Sequence, residues 1–117
     1  MQIHERMVGG VAIVEVTGDL VANSGDVSVR DKVRSLIQQG QMQIVVDLGQ
    51  VPYMDSSGLG ELVQSYATTK KSGGVLKLMR VTKRLKDLLT ITKLVTVFDS
   101  YDDEASAIAS FADSKPT

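Results

Sequence analysis

Apolar residues recur along this chain with two different periods, and each change of period marks an element. Ile3 to Val8 and Val11 to Val16 are β-rich runs joined by Gly9-Gly10. Glycine reaches the positive φ that primed two-residue turns require, so the pair predicts a hairpin. Thr17-Gly18-Asp19-Leu20 ends the second run, and the polar stretch Asn23-Ser24-Gly25-Asp26 offers several helix caps. The helix that follows is expected to bury Val29, Val33, Leu36 and Ile37 and to stop near Gly40, a C′ glycine. Ile44-Val45-Val46-Asp47-Leu48 then reads as a strand apolar on both faces, which implies a sheet covered by helices.

Leu59, Leu62, Val63, Tyr66 and Ala67 fall at i, i+3, i+4, i+7 and i+8, one apolar helix stripe. Lys70-Lys71-Ser72-Gly73-Gly74 supplies a basic last turn and a glycine stop. Val75 to Met79 is the next strand, and Thr82 can cap a helix carrying Leu85, Leu88 and Leu89. Leu94 to Phe98 is expected to be a short strand. Asp102 and Asp103 open a last helix with Ala105, Ile108, Ala109 and Ala112 on its inner side. The order ββαβαβαβα predicts one α/β domain over residues 1–113. Its sheet is mostly parallel, of four to five strands, with an N-terminal hairpin and about four helices. Residues 114–117 are expected to be a disordered tail.

Composition narrows the function. The 117 residues suffice for one core, and the absence of cysteine removes disulfides, thiolate zinc sites and cysteine nucleophiles. A formal net charge of −1 gives no electrostatic surface for nucleic acid. No apolar run approaches the ~20 residues that span a bilayer, and no signal-like segment opens the chain, so a soluble cytoplasmic protein is expected. Enzyme signatures fail as well. The single histidine, His4, sits in the first predicted strand; there is no Gly-x-Ser-x-Gly elbow and no Gly-Lys-Ser/Thr phosphate loop. Asp19, Asp47 and Asp55 lack a regular ligand spacing, and capping or solvated carboxylates explain them better than a cation. The chain reads as a binding protein, not a catalyst.

The chemistry that remains lies in Val51-Pro52-Tyr53-Met54-Asp55-Ser56-Ser57-Gly58-Leu59-Gly60, between a buried strand and an amphipathic helix. Asp55, Ser56 and Ser57 are all helix-capping types, and a plain capped helix would account for them. A hydroxyl at such an end is also a good phosphate acceptor, because free N–H groups and the positive end of the macrodipole meet it there. A partner docked over that end would meet a phosphate as unwelcome charge, worsened by Asp55. Gly58 and Gly60 lower helix propensity by ~1 kcal/mol each relative to alanine. Close approach of a partner or tight packing on the sheet would explain them equally. The Lys83, Arg84, Lys86 cluster can face an acidic partner or only solvent.

Met54-Asp55-Ser56-Ser57-Gly58-Leu59-Gly60, placed after the strand Ile44 to Leu48, resembles the signature of the STAS domain in bacterial anti-sigma factor antagonists. The resemblance runs from about Ile3 to Phe111 and includes Thr17-Gly18-Asp19-Leu20, Gly73-Gly74 and Ser100-Tyr101-Asp102. It implies partner switching. Ser56 would be phosphorylated by an anti-sigma factor that is itself a histidine-kinase-like serine kinase, with Ser57 the alternative acceptor. The unphosphorylated form would bind that kinase and free the sigma factor; a metal-dependent serine phosphatase would reset it. The kinase brings ATP and Mg²⁺, so the chain itself is expected to need no cofactor; its alternating charges and lack of a heptad stripe separately predict a monomer when free. Asp55 would help position the acceptor. Asp19, Asn23, Tyr53, Met54, Asp55, Ser57, Gly58 and Leu59 would share the partner surface. The chain departs from the family's pattern at Asn23 to Ser28 and at Thr90-Ile91-Thr92-Lys93-Leu94, which lacks the usual Thr-Gly-Leu turn. Two other readings stay open: a non-switching STAS subunit of a lipid-transport or scaffold assembly, and a small-ligand or nucleotide-binding domain.

Overall fold

A computed structural model of the chain describes residues 2–21 and 28–113. Gly9 and Gly10 take φ of +56° and +82°, so β1 (Gln2–Val8) turns back antiparallel onto β2 (Val11–Thr17), with Val8 opposite Val11. From β2 onward β3 (Gln43–Gln50), β4 (Val75–Met79) and β5 (Ser100–Tyr101) add in sequence order, each parallel to the one before. Between them run α1 (Val29–Gln38), α2 (Ser56–Lys71) and α3 (Lys83–Ile91), and α4 (Glu104–Asp113) closes the described chain. This is the mostly parallel α/β sheet with an N-terminal hairpin that the sequence predicts.

Burial follows the two-residue period of the strands. Ala12, Val14, Val16, Ile44, Val46 and Leu48 share one core with α1, α2 and α3. Val11, Ile13 and Val45 face the other way, onto Ala107 and Phe111 of α4. A sheet covered on both faces explains why Ile44 to Leu48 is buried throughout. Lys77 is buried on the α4 side, where its Nζ donates to Ser110 Oγ at 2.9 Å and lies 4.6 Å from the Phe111 ring centroid. Hydrogen bonding and ring faces make that buried amine tolerable.

The predicted caps hold: Thr82 Oγ1 accepts from Leu85 N, and Gly40 takes φ +86° just after α1. The cap of α1 is Ser28, whose Oγ accepts from Asp31 N at 3.0 Å. The cap candidates at 23–26 lie outside the described residues, as does the tail at 114–117.

Three expectations are corrected. Leu94 to Phe98 is not a strand; Leu94 N and Val95 N both bond to Leu89 O, and Val97 N bonds to Leu94 O. Those bonds wind the segment into turns, Lys93 takes the left-handed φ (+62°) that a glycine would favour, and Phe98 drops into the core edge-on to Tyr66. The fifth strand forms only at Ser100–Tyr101. In α4, Ala105, Ala109 and Ala112 face solvent while Ala107 and Phe111 are buried and Ile108 is half-buried, because the large ring, not the small alanines, fills the space over the sheet. In α2, Ala67 is exposed, and the fully buried positions include Ser65 and Thr69. Their hydroxyls donate to the Glu61 and Ser65 carbonyls, both at 2.8 Å, which removes the penalty of burying them.

What positions α2 is the chain just beyond β2. Register shifts between Glu15 and Thr17, Gly18 N donates to Gln50 O, and the backbone then runs parallel to 50–55. Leu20 bridges Met54: Leu20 N donates to Tyr53 O at 2.9 Å, and Asp55 N donates to Leu20 O at 3.3 Å. The Leu20 carbonyl sits so close to the first turn of α2 that a Cβ on Gly58 would fall 1.9 Å from its oxygen. Tight packing therefore explains Gly58.

Gly58→Ala is expected to destabilise the fold by about 3 kcal/mol or more, since the obstacle is backbone and cannot rotate away. Urea unfolding of the purified variant measures this, and an unchanged midpoint would disprove the clash. A second expectation concerns acid. Arg6 donates to Glu15 and Glu104, pinning α4 to the hairpin, and its hydrogen bond holds the Glu104 carboxyl below the usual range. A depressed carboxylate stabilises the fold above its unfolded value and loses that contribution as pH falls through the folded one. Wild type and Glu104→Gln should therefore differ by about 0.2–1 kcal/mol at neutral pH and converge below the ordinary glutamate range of about 4.3. Denaturant midpoints measured across pH would show it.

Candidate functional site

α2 begins at Ser56, with Asp55 as its cap. Asp55 has extended backbone angles (φ −97°, ψ −176°), and its Oδ1 accepts from Gly58 N at 2.8 Å. Its own carbonyl accepts from Leu59 N, the first bond of the helix ladder. The cap therefore engages the third residue of the helix. The N–H groups of Ser56 and Ser57, the first two, face the open end of the helix.

Helical spacing then divides the motif. Gly58 and Leu59 turn inward, Leu59 being 6% exposed; Ser56 and Ser57 turn outward and are both exposed. Met54 is 5% exposed and belongs to the core, whereas Tyr53 is 46% exposed. Asp19 is exposed on the neighbouring segment that Leu20 ties to the loop. Of the residues singled out in the sequence, Asp19, Tyr53, Asp55, Ser56 and Ser57 thus come together at the surface, with Met54, Gly58 and Leu59 as the support beneath. Asn23 lies outside the described residues.

Gly60 differs from Gly58: a Cβ there would meet nothing within 4 Å. No packing within the described fold demands a glycine at that position. The three aspartates do not converge on a cation, since Asp47 accepts from Gly49 N and pairs with Arg80 while Asp55 caps α2. No cluster of three metal-ligating side chains occurs among the described residues, and no helix there is long and apolar enough to cross a membrane.

Sequence reasoning missed two features beside the loop. Leu20 is the clamp, and only its pairing with Met54 reveals that. The second is a groove of about 490 Å³ between Tyr53-Met54 and α3, flanked by Leu88 and Ile91. Its signal was present in the sequence, because Leu88 and Ile91 are spaced three apart on α3 and offset from the buried pair Leu85 and Leu89.

This arrangement of strand, capped serine pair and helix has counterparts among known proteins. The family model for the STAS domain matches residues 2–107. An anti-sigma F factor antagonist of Paenibacillus polymyxa is 32% identical over 109 residues, covering 92% of each chain. An anti-sigma-B factor antagonist of Bacillus subtilis (strain 168) is 38% identical over 86 residues, 74% of this chain and 77% of that one. In fold, the chain resembles the phosphorylated form of the Bacillus cell fate determinant SpoIIAA, with a TM-score of 0.73 at 20% identity, over 94% of this chain and 99% of that one. With a family match across nearly its whole length and relatives above the level at which homology is secure, the chain belongs to the STAS domain family of anti-sigma factor antagonists.

Proposed function

We propose that this chain is an anti-sigma factor antagonist that exchanges partners through phosphate on Ser56. The observation that carries the reading is the exposed Ser56 hydroxyl at the first position of α2, directly after a cap carboxylate held by Gly58 N. The names borne by the Paenibacillus and Bacillus relatives support the role, and the phosphorylated state of the Bacillus structural neighbour supports the switch. Unphosphorylated, the surface around Tyr53, Asp55, Ser56, Ser57 and Asp19 docks a histidine-kinase-like anti-sigma factor and frees the sigma factor. That kinase supplies ATP and Mg²⁺. Ser56 Oγ attacks the γ-phosphorus, the Oγ–P bond forms, the bond to ADP breaks, and the hydroxyl proton leaves to the kinase or solvent.

The product carries about −1.5 to −2 charges at neutral pH. Within the fold those charges meet the N–H groups and positive dipole end of α2, so the domain stays folded. Across the interface they stand beside Asp55 and Asp19 and repel the docked kinase. A metal-dependent serine phosphatase restores the binding form. The chain itself performs no catalysis.

Mass spectrometry of the protein recovered from its own cells is expected to find phosphate on the peptide holding Ser56, and none in Ser56→Ala. Ser56→Ala should capture the purified kinase-type anti-sigma factor and Ser56→Asp should not. Ser56→Asp should nevertheless unfold within about 0.5 kcal/mol of wild type, being an anion at a helix start. Phosphate that persists in Ser56→Ala would move the acceptor to Ser57; phosphate under no growth condition would end the switch reading.

Gly60 gives an independent check of where the partner lies. Gly60→Ala is expected to stabilise the domain by about 0.5–1 kcal/mol through helix propensity. It should also weaken kinase capture, because the added methyl stands in the open space a partner's backbone would occupy. A stabilised variant with undiminished capture would exclude close docking on that face of α2.

A further inference from the structure

The groove beside the site has walls that the fold leaves unused. Leu85 and Leu89 anchor α3 in the core at 1% and 4% exposure. Ile91, at the end of the same helix, is 78% exposed, and Tyr53 across the groove is 46% exposed. Leaving such apolar surface in water forgoes the favourable free energy of burying it. Met54 and Leu88 form the apolar floor between them, and Lys83 and Arg84 stand on the rim. Isolated exposed apolar residues are ordinary, but these line one cleft of about 490 Å³.

Charge decides what the cleft suits. Of the charged residues that line the cleft, Lys83 and Arg84 are cationic and Asp87 is anionic, so its rim is positive on balance. The Ser56 end of the same surface carries Asp19 and Asp55 and is negative. Tyr53 and Met54, which line the groove, directly precede Asp55 and Ser56, so a partner docked over the serine lies next to the groove. We propose that this groove receives a segment of the kinase-type partner that presents an apolar side chain flanked by carboxylates. The proposal rests on the partner-switching reading and adds to it a division of labour. The groove supplies affinity and orientation through burial at Tyr53 and Ile91 and attraction at Lys83 and Arg84. Ser56 supplies the sensitivity to phosphate. The opposite signs at the two ends fix which way the partner lies.

The test uses the full chain and the purified kinase-type anti-sigma factor from the same cells. Ile91→Ser, and separately Lys83→Glu with Arg84→Glu, are expected to weaken binding by about tenfold or more. The charge variant should also flatten the dependence of affinity on salt. Both remain folded in urea unfolding, as surface substitutions do, and in both the further change Ser56→Asp should still abolish capture. Because the chain has no cysteine, Ile91→Cys carrying a benzophenone probe is a unique crosslinker. It should mark a partner peptide with an apolar residue and at least two carboxylates within one helical turn. A marked peptide lacking acidic residues, a crosslink to a second copy of this chain, or groove variants that bind as wild type does would overturn the groove proposal while leaving the switch intact. If wild type itself does not bind the kinase, the switch reading fails and the groove proposal fails with it.

Discussion

A single close approach organises the functional end of this domain. The Leu20 carbonyl accepts from Asp55 N and lies against the first turn of α2, where Gly58 has no side chain to obstruct it. Leu20 N in turn donates to Tyr53 O. These two bonds tie the segment after β2 to the segment after β3 and fix the direction in which α2 starts. The rest follows from helix geometry. With Asp55 as cap and Gly58 and Leu59 facing inward, Ser56 and Ser57 have only the solvent side left. A larger residue at 58 would push the helix start away from the sheet and with it the surface that the serines share with Asp19.

The same construction suits the phosphate proposed for Ser56. The Asp55 carboxylate takes the N–H of Gly58, which leaves the N–H groups of Ser56 and Ser57 at the positive end of the helix dipole. Charge added there changes the outer surface, not the core, which has Met54 and Leu59 firmly inside it. The switch proposed for Ser56 would need no conformational change in this chain. In that proposal its free energy comes from electrostatics across the partner interface, where Asp19 and Asp55 set a negative background and the cationic residues of α3 a positive one.

The legible parts of the sequence were those set by local chemistry. Gly9-Gly10 dictated a primed turn, Thr82 a helix start, Asp55-Ser56-Ser57 another without saying which residue caps it, Gly40 a helix stop, and the unbroken run at Ile44 to Leu48 a sheet covered on both faces. The misreadings came where two local solutions were available. Leu94 to Phe98 has the composition of a strand, yet the N–H groups of Leu94 and Val95 are taken by the end of α3, and of the segment only Phe98 is fully buried. The alanines of α4 suggested an inner face, yet Phe111 needed that space. Ala67 was expected on the apolar stripe of α2, yet it is exposed, while Ser65 and Thr69 each satisfy a hydroxyl one turn back and are buried.

The sequence by itself thus determined the order of elements, the parallel sheet and the serine pair at a helix start, because turns, caps and periodicity act over a few residues. Tertiary structure decided what lies next to what. Only when residues 18–20 pack beside 50–55 does Gly58 have a reason that Gly60 lacks, and only when α3 settles beside Tyr53 does Ile91 face a groove. Those contacts join residues more than 30 positions apart, and no short-range pattern encodes a distance of that kind.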